Sequence, residues 1–408
     1  MFDIAVTVLV VTALLAYLNA RFLKLPLTIG VMACAMLLSL ALAGLDALGL
    51  APGLRLREQA FVASIDFPAV LMQGMLSVLL FAGALHVDVA RLRRHRWQVG
   101  LLAFAGTTVS TFVVGALLWW LLPRLGLALP LIDCLLFGAL ISPTDPIAVI
   151  AMLKSAGAPE DLSTVIAGES LFNDGVGVVI FALLLGVATQ GTAPEAGHVA
   201  TLLLRQAGGG LVFGAVLGFG LRYLLRTVGR GQVETLLTLA AVLGGYALAN
   251  HLQVSGPLAM VVAGLMIGGA PDAASRRHVD SFWELLDDIV NAVLFVLVGL
   301  QVIAIQFPVT GLAAVALAAI VIAVTLGARW ATVGLPVLAF GRSTRLPRGA
   351  ASVLTWGGLR GGISIALALS IPPDHHRQAL VAMTYCVVAF AVLVQGLTFR
   401  RLSRRWLA

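Results

Sequence analysis

The sequence predicts an all-α polytopic membrane protein of about thirteen transmembrane helices, built as inverted repeats with two crossed, interrupted helices. Three observations carry that expectation. Of the 408 residues, 60% are hydrophobic and only 11% are charged, and the mean hydropathy is +1.03; a soluble domain carries about 25% charged residues. Breaks at proline, glycine and charge divide the chain into thirteen apolar segments, most near the roughly 20 residues that a helix needs to cross a bilayer. Two segments are broken internally, the fifth at Pro143 and Pro146 and the twelfth at Gly357, Gly358, Gly361 and Gly362. Interrupted spans in corresponding places of two halves are the sequence mark of an inverted repeat.

The segments lie near 2–20, 26–48, 67–88, 97–123, 129–153, 163–188, 199–221, 233–252, 256–270, 283–306, 311–340, 348–371 and 378–399. The first begins Phe2-Asp3, with no basic leader and no small-residue cleavage site, and reads as a span rather than a signal peptide. No polar stretch is long enough for a soluble domain, so residues 1–408 form one transmembrane domain. Cys34, Cys134 and Cys386 stand alone in apolar runs and read as small buried hydrophobes.

The net charge of +7 is a matter of topology, not of nucleic acid. Nineteen Lys and Arg fall on one side of the thirteen spans, including Arg91, Arg93, Arg94 and Arg96, then Arg342, Arg345 and Arg348, then Arg400, Arg401, Arg404 and Arg405. Arg55, Arg57, Arg124, Arg205 and Arg377 fall on the other, and Arg329 and Arg360 lie inside spans. The positive-inside rule then places the N-terminus outside and the C-terminus in the cytoplasm.

Away from the span ends few charged residues remain: Asp145 in the fifth, Glu169 and Asp174 in the sixth, Arg329 in the eleventh and Arg360 in the twelfth. A charge at that depth costs at least about 2.5 to 3.5 kcal/mol, so an intramembrane acid marks a functional site by default. Helical spacing puts Ser170 with Asp174 and sets Glu169 and Asn173 on the adjacent strip. These oxygens suit a hard monovalent cation. Glu169 also reads as half of a buried pair with one of the two arginines. Gly175 and Gly177 let a neighbouring backbone come close, and Asp145 and Arg360 are placed to offset the ends of half-helices. The Gly210, Gly214 and Gly218 seam reads as helix packing, with an oligomer contact as the lesser reading.

Acid plus broken helix at mid-membrane points to an ion site in a secondary transporter. A channel would want a continuous polar path, whereas these residues cluster at one depth. An enzyme would need a nucleophile with its base, or a metal set. His86, His95, His198, His251, His278, His375 and His376 fall at span ends or in loops instead.

The motifs Ser142-Pro143-Thr144-Asp145-Pro146, Gly168-Glu169-Ser170-Leu171-Phe172-Asn173-Asp174-Gly175 and Gly357-Gly358-Leu359-Arg360-Gly361 resemble the signature of the monovalent cation:proton antiporter-1 family, the NhaP-type sodium/proton antiporters. Weaker matches are Leu79-Leu80-Phe81, Ser255-Gly256-Pro257-Leu258-Ala259, Asn291 to Leu300, and Arg329. The resemblance runs from about residue 60 to 400. It implies Na+ (or Li+) exchanged for H+ across a bacterial cytoplasmic membrane, in pH homeostasis, by a homodimer with elevator-like alternating access and no cofactor. Core helices would be spans 3–6 and 10–13, and dimer or scaffold helices spans 1–2 and 7–9. Asp174 would be the shared carrier of proton and cation. Ser170, Thr144 and Asp145 would complete the Na+ shell, Asn173 would bridge spans five and six, and Glu169 would pair with Arg329, or else with Arg360. The Asn-Asp pair resembles the electroneutral branch, one cation for one proton.

Two departures stand out. Many relatives carry an acid after Leu-Leu-Phe, where this chain has Ala82; that puts Na+ preference in question and leaves a K+/H+ antiporter on the same fold as the alternative. The chain also ends about nine residues after the last span, without the cytoplasmic tail of some relatives.

Overall fold

The computed structural model describes residues 2–407 except 156, 191–195, 270–272, 338–345 and 348. Arg342, Arg345 and Arg348 of the charge tally, and the side chain of His198, lie outside the described residues.

Among the described residues every regular element is helical, and one isolated backbone bridge takes the place of any sheet. Ten continuous helices are long and apolar enough to cross a membrane. They are α1 (Phe2–Leu23), α2 (Leu27–Ala47), α3 (Phe67–Leu85) and α4 (Arg96–Leu125), then α7 (Glu160–Gln190), α8 (Thr201–Val228) and α9 (Gly231–His251), then α11 (Arg277–Ala304), α12 (Leu312–Val337) and α15 (Arg377–Leu407). Shorter helices fall between them, and five of these lie within the remaining apolar segments. These are α5 (Leu131–Ile141), α6 (Ile147–Ser155), α10 (Gly256–Gly268), α13 (Ala350–Trp356) and α14 (Gly362–Leu369). The fifth, ninth and twelfth apolar segments are therefore the ones that do not form one long helix.

Local chemistry sets these limits. Asp66 caps α3 by accepting the Ala69 amide at 3.1 Å, with Pro68 in the first turn. Ser255 caps α10 by accepting the Leu258 amide at 3.3 Å, with Pro257 behind it. Helix α5 stops at Ser142 because the ring of Pro143 supplies no amide to continue it. Glycines release the chain between α13 and α14, where helix costs about 1 kcal/mol per glycine relative to alanine.

Close helix contacts fix the scaffold around the site. The seam on α8 packs against α10 within this chain: a Cβ on Gly214 would stand 2.8 Å from the Ala259 Cα. The other side of α10 meets α3, where a Cβ on Gly264 would stand 2.7 Å from the Phe81 carbonyl oxygen. With glycine on one wall, backbones approach to van der Waals contact and dispersion replaces the hydrophobic drive that lipid does not supply. Large apolar side chains on α1, α4 and α8 stay exposed on the outer surface, as a lipid-facing wall requires. The three cysteines are free, with Cys134 buried and Cys34 and Cys386 half-buried.

Candidate ion-binding site

The two interrupted segments meet. Asp145 donates its amide to the Leu359 carbonyl at 2.8 Å, an antiparallel bridge between the two breaks. Each break leaves helix ends whose backbone groups have no partner of their own. Arg360 answers at one end, donating from Nη1 to the carbonyls of Ser142 at 2.5 Å and Pro143 at 2.9 Å, where α5 stops. Asp145 answers at the other, its Oδ1 accepting the Ile147 amide at 3.0 Å where α6 starts. Arg360 is consequently not the partner of Glu169.

That partner is Arg329. Nη1 reaches Oε1 and Nη2 reaches Oε2, both at 2.6 Å, and Nη2 also donates to the Leu354 carbonyl at 3.3 Å. Asn173, one turn along α7, donates from Nδ2 to Glu169 Oε1 and to Thr144 Oγ1, each at 2.8 Å, while its Oδ1 accepts the Thr144 amide at 3.3 Å. Asn173 thus ties α7 to the break after α5. Thr144 and Ser170 share a hydrogen bond at 2.9 Å. Pro143 lies over Gly177, where a Cβ would come within 2.5 Å of its Cγ, so the glycine after Asp174 admits the break.

Asp174 is different. The residue is only 6% exposed, and its Oδ1 is buried without a hydrogen-bond partner among the described residues. It opens on a cavity of about 60 Å3 whose wall includes Thr144, Asp145, Asn291, Gly361 and Ser364. The Ser364 hydroxyl is likewise buried without a partner. Of the residues singled out in the sequence, Asp174, Asp145 and Thr144 stand on this wall. Ser170, Asn173 and Glu169 stand behind Thr144, and Arg329 lies farther back. Asn291 entered the sequence reading only as the start of a weaker family match, with no role in the site, and Ser364 was not singled out; its only signal was polarity inside an apolar run. Leu80 and Gly83 of α3 reach the cavity, while Ala82 is buried away from its wall. Another acid in an apolar segment, Asp133 at the start of α5, accepts from His376 Nδ1 at 2.7 Å and lies 3.4 Å from His375 Nδ1. Among the described residues no three or more His, Cys, Asp and Glu side chains gather as a metal cluster.

Broken helices that meet at a half-paired acid cluster define the chain as a multi-pass ion transporter. A family model for the transmembrane region of sodium/hydrogen exchangers matches residues 10–405, and the chain belongs to that family. It is accordingly a secondary transporter and not an enzyme, with ions as substrates and no cofactor. It is 49% identical to the Na(+)/H(+) antiporter NhaP of Pseudomonas aeruginosa, across 99% of this chain and 97% of that protein. It is 35% identical to the Na(+)/H(+) antiporter NhaH of Halobacillus dabanensis, across 85% of this chain and 86% of the relative. The solved sodium proton antiporter MjNhaP1 of Methanocaldococcus jannaschii superposes with a TM-score of 0.75 over 98% of this chain and 97% of that chain, at 20% identity, a likeness of fold.

Proposed function

We propose that this protein exchanges Na+ (or Li+) for H+ across the bacterial cytoplasmic membrane, with Asp174 as the shared carrier and one proton moved per cation. One observation carries the reading: among the three acids of the site, both oxygens of Glu169 are closed by Arg329 and one oxygen of Asp145 by the start of α6, whereas Asp174 makes no side-chain hydrogen bond to a described residue and keeps a buried, unpartnered oxygen on the cavity. An uncompensated buried charge is expensive, so a proton or a cation must neutralise it, and the two exclude each other. The loaded site is then near neutral in either form and the empty site crosses rarely, which couples the two fluxes without ATP. Thr144 and Asp145 supply further oxygens to the cation, and Ser170 and Asn173 hold Thr144 in place. Glu169 and Arg329 are structural.

On this reading the ten continuous helices, the two interrupted segments and the short α10 make thirteen spans in inverted repeats, with the breaks crossing at mid-membrane. Spans 3–6 and 10–13 form the moving core and spans 1–2 and 7–9 the scaffold of a homodimer that serves pH homeostasis. The N-terminus faces outward and the C-terminus the cytoplasm. The relatives reported above are named for Na+, which favours sodium over the K+ alternative. The test is dequenching of a pH dye in energised everted vesicles on adding Na+, Li+ or K+. Dequenching by Na+ and Li+ is expected; a response to K+ alone would overturn the sodium assignment.

A further inference from the structure

A second, larger cavity of about 450 Å3 lies away from the ion site, where α7 faces the helices α8, α9 and α10. Its polar wall is Arg205, Gln206, Tyr246, Asn250, Gln253 and Ser255. Among the described lining residues there is no Asp or Glu, so its only full charge is positive. Arg205, Asn250 and Gln253 are exposed at the mouth of the cavity, and their side chains form no ion pair or hydrogen bond with any described residue. The Tyr246 ring is buried against Gly256, where a Cβ would stand 2.7 Å from Cε2, while its hydroxyl opens on the cavity and makes no hydrogen bond to a described residue. Helix α10 begins at Gly256 on the same wall, so its N-terminal turn adds partial positive charge.

The rest of the wall is apolar, with Met72 from α3, Val178 from α7 and Leu202 from α8. The polar residues cluster where α8 starts and α9 ends, the depth of lipid headgroups. The volume lies within the roughly 300 to 1,000 Å3 typical of small-ligand pockets.

We propose that this cavity binds a phosphate group, held by Arg205 and the Tyr246 hydroxyl at the positive end of α10, with Asn250 and Gln253 completing the shell. The apolar wall accommodates an acyl chain when the phosphate belongs to a lipid. Because Val178 lies one turn beyond Asp174 on α7, while α8 and α10 are locked together by the glycine seam, the ligand bridges the ion-carrying helix and its scaffold. The inference is independent of which cation is exchanged, since its test reads binding and not transport.

The test is the thermal melting of the full chain in detergent, titrated separately with three probes. They are a short-chain phosphatidylglycerol, a diacylglycerol with the same chains, and inorganic phosphate. Phosphatidylglycerol is expected to raise the melting temperature at concentrations where diacylglycerol does not. Arg205→Gln should weaken that binding about tenfold, the scale of one charge-assisted hydrogen bond. Tyr246→Phe, which keeps the ring on Gly256 and so controls for folding, should weaken it a few-fold. Protection by inorganic phosphate with the same dependence on Arg205 and Tyr246, and no more by the lipid, would support the site and identify a free anion as its source. Equal protection by diacylglycerol, or binding unchanged in both variants, would overturn the proposal.

Discussion

Arg329 of α12 grips Glu169 of α7 through two parallel hydrogen bonds of 2.6 Å, and this one pair decides which acid of α7 is free. Five residues on, Asp174 has no basic partner within hydrogen-bond reach among the described residues. The same helix therefore carries one carboxylate that is consumed by structure and one left open on a cavity.

Asp174→Asn is expected to abolish exchange and leave a folded protein. The replaced oxygen has no partner to lose, so the fold gives up little. Dequenching in vesicles measures the first part and detergent melting the second. Exchange above a few per cent of the parent rate would remove Asp174 from the carrier role.

Glu169→Ala leaves the Arg329 guanidinium buried and unpaired, and removing one partner of such a pair costs about 3 to 5 kcal/mol. A marked fall in melting temperature is expected, with much of it recovered by combining Glu169→Gln with Arg329→Met. A Glu169 variant that is as stable as the parent but cannot transport would instead place this acid in the ion site.

Ser364 turns a buried, unpartnered hydroxyl to the cavity of Asp174. Ser364→Ala deletes no protein hydrogen bond and should keep the melting temperature and maximal rate. The apparent KM for Na+ is expected to rise a few-fold, as the loss of one neutral oxygen contact implies. An unchanged KM would show that the cation does not reach this wall.

Asn173 is neutral and is committed to Thr144 and Glu169, so α7 offers one titrating carrier. Asp145 lies across the cavity, its Oδ1 fixed by the Ile147 amide, and is expected to stay ionised through the cycle. One Na+ then replaces one H+ with no net charge moved. Exchange in liposomes should be indifferent to a membrane potential set with K+ and valinomycin. Acceleration by either polarity would show a second proton and assign it to Asp145.

Much of this site was legible because a bilayer makes polarity conspicuous. Asp145, Glu169, Asp174, Arg329 and Arg360 stand out in a chain with 11% charged residues, and Pro143 and Pro146 announce the break between α5 and α6. The tie from Asn173 to Thr144 was also within reach, through the family motif. Asn291 and Ser364 were not, since a single amide or hydroxyl in an apolar helix is as readily bonded to its own backbone as turned to a cavity.

The sequence by itself determined the class of this protein, its apolar segments and where two of them break, because helix length, charge cost and proline geometry are local properties. Only the tertiary structure decided the partnerships. Glu169 and Arg329 are 160 residues apart, and either of two buried arginines suited the acid until packing brought Arg329 to it and sent Arg360 to the carbonyls of Ser142 and Pro143. It also decided that Ser170 lies behind Thr144 rather than on the cavity, and that the glycines of α8 meet α10. Which face of a helix meets which neighbour is set by the whole packed bundle, and no single segment contains that information.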